Sequence, residues 1–330
     1  MEQFSSETIW HMNERQFHSL LNSGRLLGPK RKIHFYAPSF MYYRTAYYCS
    51  SVTEFPTISI TGKICALKCK HCGGLVLETM HPVTTPDELF FICKSIKAKG
   101  ALGCLISGGC LPDGSVPIRK FVDALGRVKD ELGLTVLVHS GIIDLQTAKA
   151  LKSAGIDAVL IDIIGSDETI KEICNLNMTV EDYSRSLRVL RQAEVVTVPH
   201  VISGLHNGRL LGEFNALQMI QKCDPAAVVI IAFTPIRGTD LENTPPPRPL
   251  DVAKVVATAR LMFPRVPVVL GCMRPKGKHR EETDILALKA GADAIAFPTE
   301  SAVRFAEDNG YQTAFSSMCC SQVYMDIVHA

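Results

Sequence analysis

Thr57-Ile58-Ser59-Ile60-Thr61-Gly62-Lys63-Ile64-Cys65-Ala66-Leu67-Lys68-Cys69-Lys70-His71-Cys72-Gly73-Gly74 decides how the rest of the chain is read. Its opening residues are an apolar, β-branched run, so the cysteines fall on a loop just past a strand. Their spacing is Cys-x3-Cys-x2-Cys. Three thiolates on so short a loop can converge on one soft metal centre, and three cannot all pair as disulfides. A structural zinc site adds a fourth Cys or His in a paired motif. The near candidates, His71 and His81, complete no such pair. Three cysteines therefore fit a [4Fe-4S] cluster with one iron left open, since full ligation takes four thiolates. A zinc knuckle and three incidental surface thiols are the competing readings.

Placed after a first strand, Cys65-x3-Cys69-x2-Cys72 resembles the cluster motif of the radical S-adenosylmethionine (SAM) superfamily. The resemblance implies that these cysteines ligate the cluster and that its open iron chelates the amino and carboxylate groups of SAM. It implies an electron donor too, because an electron from the cluster cleaves SAM to a 5′-deoxyadenosyl radical that abstracts hydrogen from an unactivated carbon. One position departs from the motif: the residue before the third cysteine is usually aromatic, and here it is His71. An imidazole still stacks and donates a hydrogen bond, so His71 is expected at the cofactor.

Bulk properties leave room for such an enzyme and exclude several other classes. The 330 residues suffice for one large domain or two average ones. With 47% hydrophobic and 21% charged residues the chain builds a core rather than staying disordered. A net charge of +2 points to neither nucleic acid nor an anionic membrane. No apolar run reaches the roughly 18 residues of a membrane span. The polar stretch from Met1 to Arg15 does not read as a secretory signal. Twelve cysteines without such a signal imply a reducing, cytoplasmic setting with thiols as ligands or core residues.

From residue 57 a βα rhythm repeats, with strands expected at 57–61, 102–107, 134–139, 157–163, 195–202, 227–233, 266–271 and 293–297. Helical patterns lie between them, the first opened by Pro86-Asp87-Glu88. Ser153-Ala154-Gly155-Ile156-Asp157-Ala158 and Lys289-Ala290-Gly291-Ala292-Asp293-Ala294 share one helix-to-strand turn. Eight strands alternating with helices in about 250 residues is the arithmetic of an α/β (β/α)8 TIM-type barrel. An open doubly wound sheet is the alternative. The expected organisation is a helical and extended lead-in over 1–56, the barrel over 57–310 and a short tail over 311–330.

Barrel logic places chemistry at the C-terminal ends of strands. Unusual residues collect there: Ser107-Gly108-Gly109-Cys110, His139, Asp162, Ser203, the Thr234–Thr239 loop and Gly271-Cys272-Met273-Arg274. Ser107-Gly108-Gly109 resembles the superfamily's Gly-Gly-Glu element, which implies a backbone contact to SAM, although Cys110 replaces the acid. Asp162 interrupts an apolar strand, where an unpaired carboxylate is costly, so it should face the mouth and bond SAM or substrate. His139 and Ser203 are expected beside it at the cofactor. Arg237 and Arg274 read as substrate-orienting or cluster-adjacent cations, with solvated rim charges as the alternative.

Phe233-Thr234-Pro235-Ile236-Arg237-Gly238-Thr239-Asp240-Leu241 resembles the strand-6 stretch of the biotin synthase branch. Cys93, Cys174 and Cys223 read as core, whereas Cys49, Cys272, Cys319 and Cys320 would together make four thiolates, enough for an auxiliary [4Fe-4S] cluster. Together with Phe35-Tyr36-Ala37-Pro38-Ser39, the pattern is similar to one subunit of the two-component lipoyl synthases. That likeness implies sulfur insertion into an octanoyl chain on a carrier protein or octanoyl-lysine peptide, alongside a paralogous subunit. A carbon-skeleton mutase of the methylornithine synthase type and a non-catalytic metal-binding subunit are the alternatives.

Overall fold

The computed structural model describes residues 4–27, 32–51 and 53–328. The lead-in and tail readings also cover residues 1–3, 28–31, 52 and 329–330, which lie outside the described residues. Eleven parallel strands are present: β1 Lys32–Tyr36, β2 Thr57–Ser59, β3 His81–Pro82, β4 Gly103–Ser107, β5 Thr135–His139, β6 Ala158–Asp162, β7 Thr197–Ser203, β8 Val228–Ala232, β9 Val268–Leu270, β10 Ala294–Ala296 and β11 Gln312–Ser316. They pair in the order β11-β1-β10-β9-β8-β7-β6-β5-β4-β2-β3. The eight strands read from the sequence are all there, and with their intervening helices they form the expected TIM-type barrel. Among the described residues no ladder joins β11 to β3, so the barrel is open along that seam.

Three strands extend the expected set. β1, from the lead-in, pairs with β10 on one side and with β11, from the tail, on the other. Its Ile33, His34, Phe35 and Tyr36 are all buried, as in a strand covered on both faces. β3 is a two-residue rung beside β2.

Strand periodicity sorts the core into two layers. Val136, Val138, Val159, Ile161, Ile230 and Leu270 pack under the helices. Leu137, Leu160, Val198, Val229 and Val269 alternate with them and fill the barrel interior. The longest helix, Pro249–Met262, is apolar on most sides because other elements cover it, including the N-terminal helix Ser6–His11. The helix Pro86–Ala98 starts at a reciprocal cap between Thr85 and Glu88, a device worth about 1 kcal/mol.

The tail does more than trail off. After β11 it re-enters the barrel, where Cys320 and Val323 are buried with the interior strand residues. The Tyr324 hydroxyl donates to the Asp157 carbonyl, 3.0 Å away at the entry to β6. The Tyr36 hydroxyl, at the end of β1, donates to the Asp326 carboxylate. These bonds fix the tail inside the barrel.

Candidate cluster loop and barrel mouth

The loop after β2 winds back on itself: the amides of Cys72 and Gly73 donate to the Cys69 carbonyl at 3.1 and 2.7 Å. This turn brings one sulfur each from Cys69 and Cys72 and one imidazole nitrogen of His71 within 4.8 Å of one another. Cys65 is half-buried on the same loop and acts electrostatically on Cys69. The Cys69 thiol donates to the Cys174 carbonyl at 3.2 Å; a bond to the Cys174 side chain, with burial adding to it, raises its pKa well above the usual range. A bond to Cys69, then burial, pushes Cys72 up to about 12. Both thiols are therefore protonated near neutrality and must lose protons to bind a metal. His71 Nδ1 is buried without a partner. Such a soft donor set on one loop fits an iron-sulfur cluster.

Neighbouring backbone holds the loop in place. The Ala66 amide donates to the Cys110 carbonyl at 2.8 Å, and the Lys70 amide to the Ile173 carbonyl at 2.8 Å. From the β8 side, the Leu241 amide reaches the Lys70 carbonyl at 3.3 Å. Asn175 donates through Nδ2 to the carbonyls of Lys68 and Leu67 at 2.9 and 3.3 Å. The sequence reading missed Asn175, which follows the six-residue helix Asp167–Glu172; its neighbour Cys174, read as core, is buried as expected. The available signal was an asparagine in a turn; its φ of 52° is a left-handed value that Asn tolerates better than most residues.

Gly109 is tied to the strand side of the loop: its amide donates to Thr61 Oγ1 at 2.7 Å. A Cβ there would stand 2.0 Å from the Ile64 carbonyl oxygen and 2.6 Å from Cys65 Cα. The glycine is needed because the cysteine loop presses directly against it. Gly108 is also tight against Ile60 and Thr61, and the Ser107 carbonyl accepts the Ile60 amide at 2.8 Å.

Below the loop, His139 on β5, Asp162 on β6 and His200 on β7 meet inside the mouth, one donor atom from each lying within 4.8 Å of the others. Asp162 and His200 are register partners across the β6–β7 ladder. Burial works against the charged form of Asp162, but His139 at 3.5 Å outweighs it and holds the carboxyl at about 2. Burial lowers His139 while Asp162 raises it more, so its pKa ends above the usual value. Burial takes His200 down to about 4, leaving it neutral. His200 was not singled out from the sequence, although a lone His in an apolar strand was the signal. Ser203 ends β7 fully buried, its Oγ without a partner.

The thiols of Cys272, Cys319 and Cys320 share the interior with these groups. A bond from Cys320 brings Cys319 down to about 7 against the effect of burial, and His139 helps. Burial pushes Cys272 up to about 11, with Cys319 adding to it. Cys49 does not join them: it is exposed in the lead-in, where Arg44 bridges to it, and its sulfur faces the Ser50 carbonyl at 3.9 Å. Its position on a short surface turn separates it from the interior set. All twelve cysteines are free.

Arg274 is no rim charge, and its cation acts on the Cys272 thiol. It is 2% exposed, and its guanidinium bonds Asp284 at 2.7 Å, the Gly271 carbonyl at 2.7 Å and the Phe297 carbonyl at 3.1 Å. It clamps the ends of β9 and β10 together, because a buried cation must spend its donors on fixed partners. Arg237 is exposed on the loop after β8.

A parallel barrel with three thiols on the loop after its first expected strand defines a radical SAM enzyme. Residues 59–208 match the family model of the Radical SAM superfamily, and residues 229–315 match that of the Biotin and Thiamin Synthesis associated domain. The biotin synthase of Prochlorococcus marinus is 33% identical over 242 residues, covering 71% of this chain and 71% of its own. That of Leptospira biflexa is 24% identical over 222 residues, covering 66% of this chain and 62% of its own. Among solved structures, methylornithine synthase (PylB) aligns over 95% of both chains with a TM-score of 0.62 at 18% identity. The [FeFe]-hydrogenase maturase HydG aligns over 98% of this chain and 74% of its own, with a TM-score of 0.65 at 16% identity. The chain belongs to the radical SAM superfamily, in its biotin synthase-like branch, and its cofactors are a [4Fe-4S] cluster and SAM. No helix among the described residues is long and apolar enough to cross a membrane.

Proposed function

We propose that the chain activates a C–H bond and inserts sulfur into an octanoyl chain carried on a lysine of a carrier protein. In this reading Cys65, Cys69 and Cys72 hold the cluster that binds SAM, and a paralogous subunit performs the other insertion. The observation that carries it is the gathering of Cys272, Cys319 and Cys320 inside the barrel, near the groups of the mouth. A second thiolate set next to the reaction space would hold an auxiliary iron-sulfur cluster whose sulfide supplies the inserted sulfur, whereas a carbon-skeleton rearrangement needs no sulfur donor.

The bound cluster and SAM, fed by an electron donor, supply a 5′-deoxyadenosyl radical. The chain's own residues shape where that radical is used. Leu137, Leu160, Val198 and Val229 pack the interior with apolar side chains and keep water from the space above them. The loop seat made by Gly109, Cys110 and Asn175 fixes the three thiols relative to that interior.

Iron and sulfide counts on oxygen-free, reconstituted protein test the reading. About eight of each per chain supports it, and about four favours a mutase. Incubation with SAM, a reductant and an octanoyl-lysine peptide should then add sulfur to the peptide, read by mass spectrometry. A protein that holds metal but never releases 5′-deoxyadenosine would instead be a non-catalytic subunit.

A further inference from the structure

We propose that His139, Asp162 and His200 form a binding site for one divalent transition-metal ion, distinct from any iron-sulfur cluster. It does not depend on the sulfur-insertion reading.

The three residues end or lie in three neighbouring strands, and their inward side chains bring two imidazoles and a carboxylate to one point. The donor spacing suits an ion: His139 Nε2 and Asp162 Oδ1 are 3.5 Å apart, and all three donors lie within 4.8 Å of one another. Ligands each about 2 Å from a shared ion stand roughly 3 to 4 Å apart. The rings of His139 and His200 are 5.7 Å apart and inclined at 60°, so they address the carboxylate from different directions.

The tautomer of His200 is set for ligation. Its Nδ1 is 3.1 Å from the Val198 carbonyl, which can only accept, so Nδ1 carries the hydrogen and Nε2 keeps its lone pair. A ligating histidine is oriented by this kind of outer bond to backbone. Ser321, on the re-entrant tail, donates to Nε2 from its Oγ at 3.4 Å and would give up that bond to an ion, its hydroxyl being free to rotate. A simple ion pair would need only His139 and Asp162. The second imidazole, neutral and aimed at the same centre, is what a pair leaves unexplained.

Two imidazoles and one carboxylate on one side of an ion leave its other positions open, a set suited to Fe(II), Mn(II), Co(II) or Zn(II). The side chains of His139 and Asp162 are 24% and 35% exposed, so the open positions face the mouth. There they would take an oxygen donor of a substrate, such as an amide carbonyl or carboxylate.

The test uses anaerobic, cluster-loaded holoenzyme dialysed against Co(II), followed by metal analysis and visible spectroscopy. We expect one Co(II) per chain beyond the cluster iron, with ligand-field bands and no intense thiolate charge transfer. Asp162→Asn and His200→Gln should each weaken Co(II) binding at least tenfold while cluster iron stays constant, and Cys319→Ala should leave Co(II) unchanged. His139→Gln is a further variant, and loss of Co(II) is required in each of the three that keeps its cluster. Equal Co(II) in wild type and these variants, or loss only in Cys319→Ala, would overturn the proposal. Cluster iron and SAM cleavage report separately on the function proposed above.

Discussion

Two groups of thiols sit in this barrel, and they are held in different ways. The cysteine loop after β2 is local: one short loop carries all three cysteines, two of them on a single turn, and backbone groups from 109–110, 173–175 and 241 fix it. The interior set is assembled over long range, from Cys272 after β9 and Cys319-Cys320 after β11. Side chains far apart in sequence hold it, Tyr36 to Asp326 and Tyr324 to Asp157. A site built on one loop depends on that loop's seat. One built by a re-entrant tail depends on the whole sheet being in register.

The sharpest break in the comparison removes the local site. Cys69→Ser with Cys72→Ser should abolish cluster iron at the loop and all SAM cleavage, measured as 5′-deoxyadenosine release, while the fold survives. Gly109→Ala attacks the same loop without touching a thiol. The added methyl meets the Ile64 carbonyl, so iron loading should fall severalfold; unchanged loading would show that the seat is softer than its geometry implies.

Breaking the clamp beside the interior set should cost folding stability instead. Arg274→Met strands the fully buried Asp284 carboxylate, a loss of about 3–5 kcal/mol in urea unfolding. Cys319→Ala with Cys320→Ala should lower iron by about half and leave SAM cleavage within about twofold, separating the two thiol groups functionally.

The smallest effect concerns neither group and gives a baseline. Glu213 is buried, one carboxyl oxygen bonding the Gly204 amide at 2.8 Å and the other without a partner. Burial raises its pKa to about 7, with the Gly204 amide opposing. The folded state thus holds a proton that the unfolded chain, titrating near 4.3, has already released. Stability should fall as pH rises from about 4 through 7. Glu213→Gln should flatten that slope, adding about 3–4 kcal/mol at pH 8 and little at pH 4, read from thermal melts.

How much was legible in the sequence follows the same division. All eight expected strands are present because each is a short apolar run closed by Gly, Pro or Asp. β11 escaped notice because Thr313, Ala314, Phe315 and Ser316 are all only half-buried, which erases the alternation that marks a strand. The cysteine triplet was legible because its spacing carries the information. Asp162 was legible as a costly carboxylate in an apolar strand. His200 was not, since its meaning comes from Asp162 on the neighbouring strand. Cys49 was misread because a surface turn exposes it, and the buried carboxylate of Asp284 that claims Arg274 was not legible, because neither cysteine count nor charge shows which way a side chain turns.

The re-entrant tail also fixes the usable depth of the vessel. Val323 is fully buried with the interior strand residues and Tyr324 is bonded at the entry to β6, so the floor of the interior is laid by a segment that follows the last strand and is not part of the sheet.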